Sequence, residues 1–133
     1  VHTQYSLLEA ASRSKDLVKI AKSNHMPAMA ITDSGNLYGA VEFYSACKTE
    51  GIQPIIGCEL AVVDGDISDR NTRKPTNTLV LLCKHLSGYK NLVKLVSIAH
   101  MQGFYYRPRL NWELIEQHRE GLIALTDCVA GPI

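Results

Sequence analysis

Asp33, Glu59 and Asp127 each stand where a short apolar run ends. Ala28-Met29-Ala30-Ile31-Thr32 leads into Asp33, Pro54-Ile55-Ile56-Gly57-Cys58 into Glu59, and Leu122-Ile123-Ala124-Leu125-Thr126 into Asp127. In a parallel sheet flanked by helices all strands point one way. Side chains that end different strands then converge at one edge, the usual place for an α/β active site. The spacing therefore predicts a polar site built from carboxylates. What surrounds the acids narrows its chemistry. The sequence has no C-x-x-C pair and no H-x-x-x-H spacing, and no glycine pair makes a phosphate loop, so no nucleotide motif is present.

The elements that must position these residues follow from the apolar period, which switches between about 3.6 and short continuous runs. Leu17, Val18, Ile20 and Ala21 predict a helix over 14–24 with Ser14 as its cap, followed by a buried strand at 28–32. Leu37, Ala40, Val41, Tyr44 and Cys47 fall at helical spacing, and Gly51 sits where a C-terminal stop belongs. A strand at 54–63 follows. The polar stretch 64–77 is too long for an ordinary turn and is read as a mobile surface loop. A third strand is predicted at 78–84, then a helix with Tyr89, Leu92, Val93, Val96 and Ala99 on its apolar face. After a loop at 103–108, Asn111 is placed to cap a short helix through His118. Gly121 ends that helix before a strand at 122–126.

Strand and helix thus alternate, which predicts a parallel α/β sheet or barrel. About four such units fit, whereas a closed eight-fold barrel needs roughly 250 residues, so a barrel parent would be only about half present. The chain of 133 residues is 46% apolar and 20% charged, enough for one core and a single globular domain. A formal net charge of +1 gives no bulk electrostatic case for nucleic acid, a membrane surface or acidic partners, so any such binding must be local. Cys47, Cys58, Cys83 and Cys128 are widely spread and read as reduced thiols. With no membrane-length apolar run and no signal peptide, the expectation is a cytoplasmic protein. The start at Val1-His2, with no initiator Met and no room for a first strand, is read as that of a fragment.

Several segments carry a resemblance. They are Val-His-Thr-Gln-Tyr-Ser-Leu-Leu-Glu-Ala at 1–10 and Met-Pro-Ala-Met-Ala-Ile-Thr-Asp-Ser-Gly-Asn-Leu-Tyr-Gly-Ala-Val-Glu-Phe-Tyr at 26–44. Gly-Ile-Gln-Pro-Ile-Ile-Gly-Cys-Glu at 51–59, Gly-Tyr-Lys-Asn-Leu-Val-Lys-Leu at 88–95, Gly-Phe-Tyr-Tyr-Arg-Pro-Arg-Leu at 103–110 and Glu-Gly-Leu-Ile-Ala-Leu-Thr-Asp-Cys at 120–128 complete the set. In this order and spacing the chain resembles the polymerase and histidinol phosphatase (PHP) domain at the N-terminus of bacterial DNA polymerase III alpha subunits. The resemblance implies part of a distorted seven-stranded barrel of βα units, residues 1–133 being its N-terminal part without the polymerase palm, fingers or thumb. It also implies a parent that performs DNA-directed DNA synthesis with Mg²⁺ in a separate palm, and contact with a proofreading exonuclease subunit and with the other polymerase domains.

Metal-binding members of that family carry His-x-His, then Thr-Asp-His, then a motif ending in Glu, and their cations cleave phosphate esters. On this resemblance His2 falls on the second His of the first motif. Glu9 lies near a position often acidic in the family, Asp33 on the Asp of the second motif, Glu59 on the Glu of the third, and Cys128 on a late motif where thiolate can ligate. Two departures count against a working zinc or manganese cluster: Ser34 replaces the second-motif His, and Thr78 stands where a further His is usual. Hydroxyls are poor substitutes for imidazole. The expectation is therefore a degraded metal site in a domain that is structural or a docking platform, with no cofactor of its own. The alternative is a metal-dependent phosphoesterase or a proofreading 3'-5' exonuclease.

Plainer roles stand beside these. Asp33, followed by Ser34-Gly35-Asn36, suits a cap or turn, and His2 suits a hydrogen bond at a strand end. Glu59 needs a partner if buried, or lies on an exposed edge. His25, His85, His100 and His118 are read as surface residues. Tyr105, Tyr106, Arg107 and Arg109 interleave aromatics with cations, a pattern that suits nucleic-acid or partner contact but also an ordered, packed loop.

Overall fold

The computed structural model describes residues 1–6, 12–70 and 74–126. The elements are α1 (Ser14–Ser23), β1 (Ala28–Ser34), α2 (Ala40–Glu50), β2 (Gln53–Val63), β3 (Asn77–Cys83), α3 (Leu86–Met101), β4 (Arg109–Asn111), α4 (Trp112–Gln117) and β5 (Leu122–Thr126), all in the expected order except β4, which the sequence does not predict. Gly51 ends α2 in the left-handed region at φ 73°, and its N–H reaches the carbonyl of Lys48. The Asn111 side chain accepts from Leu114 N at 2.9 Å and so starts α4 as the sequence predicts. Ser14 is not the cap of α1: Arg13 holds that position, and Ser14 is the first helical residue with its side chain buried.

The sheet is mixed, not parallel throughout. β1 pairs with β2 in parallel, β2 with β3 antiparallel, and β3 with β5 antiparallel, while the short β4 runs parallel to β2 beyond the end of β1. The cause lies in the connections. α2 carries the chain back between β1 and β2, so they align, whereas the described residues between β2 and β3 form no helix and β3 returns as an antiparallel neighbour. β4 has only three residues, too short to give a periodic signal.

Two buried clusters back the sheet. Cys58, Leu60, Val62, Leu79, Leu81 and Leu110 pack against Leu92, Leu95 and Ala99 of α3 and Ile115 of α4. Ile31 and Ile52 pack against Val18 and Ala21 of α1 and Phe43 and Cys47 of α2. The helical faces are narrower than the sequence pattern suggests, because Ile20, Val41 and Tyr44 are exposed. Cys58, Leu60 and Val62 recur every second residue, which fixes one face of β2 toward the helices. The opposite face has less cover, and Ile123 and Leu125 of β5 are each about half exposed. Of the stretch 64–77, expected to be a mobile loop, the described residues 64–70 and 74–76 are instead anchored, with Ile67 buried and Lys74 meeting Asp69 at 3.5 Å, and Asn77 opens β3.

Candidate functional site

The β1–β2 register sets Asp33 opposite Cys58 and Ser34 opposite Glu59. Paired residues share a face of the sheet and successive residues alternate, so the two acids project to opposite sides. Asp33 lies on the helix side, close to the start of α2. A Cβ at Gly39, the N-cap of α2, would lie 3.3 Å from Asp33 Oδ2. A carboxylate there is favoured by the helix dipole. Glu59 lies on the open side, within β2 and not at its end.

Asp33 is 2% exposed, yet its charge is fully provided for. Thr3 N and Thr3 Oγ1 donate to it at 2.5 and 2.6 Å, and Ser6 Oγ donates at 2.8 Å. The segment bearing these donors lies along β1, where Thr32 N donates to Val1 O at 2.8 Å. Ser6 Oγ also accepts from Ser34 N at 3.0 Å and lies 3.0 Å from His2 Nδ1. The other ring nitrogen, Nε2, sits 3.2 Å from Glu59 Oε2. Both partners of that pair are about a third exposed, so it contributes on the order of 0–1 kcal/mol. The structure thus joins His2 to Glu59 directly and to Asp33 through Ser6. Thr3 and Ser6 escape sequence reading, because a hydroxyl gives no signal until its partner is known.

Ser34, Glu59 and Thr78 line one cleft of ≈ 530 Å³, whose rim includes Tyr106 and Arg107. The two positions at which the PHP resemblance implies imidazoles therefore meet the carboxylate it retains. The described residues do not fit a multi-metal cluster. Among the described residues no three His, Cys, Asp or Glu side chains come together to hold an ion. Asp33 is bonded to donors of its own chain, and both nitrogens of His2 have neighbours within hydrogen-bonding distance. Glu9, Asp127 and Cys128 lie outside the described residues.

Cys58 sits behind this cleft, fully buried, its thiol donating to Asp33 O at 3.3 Å and Asn36 O at 3.5 Å. Burial pushes the thiol up to about 12 from its ordinary 9.0, and burial likewise lifts Cys83 to about 11. A raised value in the folded state favours the neutral thiol. Its stabilisation is complete below 9.0 and is lost as pH rises through the window up to 12. The urea midpoint is therefore expected to fall above about pH 9, and Cys58→Ala to flatten that alkaline arm. An arm as steep in the variant as in the parent would show that this thiol is not its source.

The remaining candidates separate. Arg109 is 2% exposed and donates inward, from Nε to Gly103 O at 2.8 Å and from Nη2 to Ile67 O and Asp69 O at 2.8 and 3.2 Å. It ties the loop after β2 to the loop before β4. The Arg109 guanidinium also lies 5.1 Å from the centroid of the half-buried Tyr105 ring. Tyr106 and Arg107 are exposed. His100 is not a surface residue: it is half-buried, with Nε2 2.6 Å from Gly35 O and its ring stacked on Phe104. Of the four cysteines, Cys47, Cys58 and Cys83 are free thiols.

Comparison with known proteins accords with this layout. A family model described as the PHP domain matches residues 1–133. The DNA polymerase III subunit alpha of Chlamydia muridarum is 48% identical over 135 residues, covering 99% of this chain and 11% of the relative. That of Aquifex aeolicus is 45% identical over 139 residues, covering 98% of this chain and 12% of the relative. The chain therefore spans about a ninth of the length of these curated relatives. A solved structure of a proposed metal-dependent phosphoesterase from Bifidobacterium adolescentis aligns with TM-score 0.53 at 18% identity, over 74% of this chain and 30% of that one, a likeness of fold alone. On the family match over its whole length and the identity to the alpha subunits, the chain belongs to the PHP domain family.

Proposed function

We propose that this chain is the N-terminal part of the PHP domain of a replicative DNA polymerase III alpha subunit, acting as a structural and docking element whose metal site has lost its donors. The observation that carries this reading is the hydrogen-bonded network of Thr3, Ser6, His2, Asp33 and Glu59, which binds its own strands together. Its chemistry is positional. Asp33 holds the 1–6 segment against β1 and the start of α2, and Glu59 receives the His2 ring at the cleft. Ser34 and Thr78 offer only hydroxyls where the family's metal sites use imidazole.

The half-exposed face bearing Ile123 and Leu125 suits further strands that would complete a seven-stranded barrel. Further polymerase domains would then pack around it. In the parent, DNA synthesis would use Mg²⁺ in a separate palm, with DNA and a proofreading exonuclease subunit as partners in the cytoplasm. Among the described residues no helix is long and apolar enough to cross a membrane. Tyr106 and Arg107, exposed at the cleft rim, are the residues placed for an outward contact.

Primer extension and 3'-mismatch removal by the full-length polypeptide test this proposal. His2→Ala and Glu59→Gln are expected to leave both rates within about twofold, since an exposed pair of this kind stabilises weakly. Loss of mismatch removal in either variant, with extension intact, would establish the exonuclease alternative.

A further inference from the structure

A groove of ≈ 470 Å³ lies between α2 and the start of α3, apart from the cleft that holds Glu59. Val41 and Tyr44 line it from α2, Leu86 and Tyr89 from α3, and Pro54 and Ile56 from β2. Ile56 stands opposite Ile31 and packs against the buried cluster that joins β1 to α1 and α2, so the groove opens on the helix side of the sheet. Its origin is topological. α2 covers the step from β1 to β2, whereas the described residues between β2 and β3 form no helix, which leaves the helical layer open between α2 and α3.

The surface left there is apolar and uncovered. Val41 is 73% exposed and Leu86 66%, and about half of Tyr44 is exposed. Single apolar side chains on a surface are ordinary, but apolar residues on both walls of one groove mark a contact surface. The charge around it has one sign. Lys84 lines the groove, the Lys48 ammonium lies 5.4 Å from the centroid of the Tyr44 ring, and no carboxylate-bearing residue lines it among the described residues.

We propose that this groove is the docking site of an amphipathic helix of the same polypeptide, supplied from outside residues 1–133, with its apolar face between α2 and α3 and acidic residues beside Lys48 and Lys84. The inference rests on the reading of the chain as part of a polymerase alpha subunit. Relatives of which this chain covers 11% and 12% have ample further chain to supply the helix. A helix suits the opening because the layer it enters is already helical, with apolar side chains at i, i+3, i+4 and i+7 as its anchors. Tethering favours the same chain over a separate one, since a linked segment meets its site at an effective concentration of about millimolar.

The test is photo-cross-linking in the full-length polypeptide, with Tyr44→p-benzoylphenylalanine on one wall and Leu86→p-benzoylphenylalanine on the other, followed by mass spectrometry of the digest. Both positions are exposed, so neither substitution disturbs the core. Both are expected to cross-link to one common segment outside residues 1–133, and adding Val41→Asp to either is expected to cut the yield about tenfold, because a carboxylate is buried unpaired in the contact. Mixing isotopically light and heavy polypeptide separates cross-links within one chain from those between copies. Cross-links only between copies, or none from either wall, would overturn the proposal. Primer extension by the unsubstituted polypeptide tests the polymerase reading separately, so a failure of the groove is distinguishable from a failure of that reading.

Discussion

Replacing Asp33 by Ala is expected to cost about 3–5 kcal/mol of folding stability, because several buried neutral donors are left without an acceptor at about 1–3 kcal/mol each. Three donors lose their acceptor at once: Thr3 N, Thr3 Oγ1 and Ser6 Oγ. All three belong to buried residues, Thr3 and Ser6, of a segment that is also held to β1 by Thr32 N donating to Val1 O and Ser34 N donating to Ser6 Oγ. Asp33→Asn retains the shape but not the charge, and an intermediate loss is expected. Urea denaturation monitored by circular dichroism measures both, with Glu59→Ala as the reference, whose surface pair is worth on the order of 0–1 kcal/mol. A loss below about 1 kcal/mol for Asp33→Ala would mean that the 1–6 segment is anchored elsewhere.

The second large effect is expected at Gly88. This residue sits in α3 against Gly121, and a Cβ at Gly88 would lie 2.0 Å from the Gly121 carbonyl oxygen. Gly121 is itself fixed: it adopts φ 75°, and its carbonyl accepts from Lys84 N at 2.9 Å. Neither backbone can yield without parting α3 from the start of β5. Gly88→Ala should destabilise by about 3 kcal/mol, the upper part of the usual overpacking range, although Ala is the better helix former. The neighbouring exposed Ser87→Ala should change stability by no more than about 0.5 kcal/mol. Equal midpoints for the two variants would contradict the close backbone approach.

Legibility in the sequence followed the range of the interactions. Gly51 and Asn111 act within four residues of their own positions, and their roles as stop and cap are readable directly; Gly121 is not the stop of α4, which His118 caps three residues earlier. β1, β2, β3 and β5, whose apolar runs are continuous, are readable too, but not the three-residue β4. The direction of β3 was less visible because it depends on the missing crossover after β2, not on any residue within the strand. The sequence puts Asp33 and Glu59 at one shared edge only on the assumption that both end parallel strands. The actual register, Asp33 with Cys58 and Ser34 with Glu59, divides them between faces. Arg109 and His100 illustrate the same limit: each is polar in a loop or helix-end context, and each becomes interior through carbonyls far away in sequence. Ser34 and Thr78 were informative because they are departures from a family pattern, and the structure places both on the cleft that holds Glu59.

On the proposed function, the His2–Asp33–Glu59 network joins strands and does not grip a cluster of cations. Elemental analysis of the full-length polypeptide for zinc and manganese, beside its His2→Ala and Glu59→Ala variants, addresses it directly. The network as described predicts identical metal content in all three proteins. One or more equivalents present in the parent and lost in both variants would contradict it.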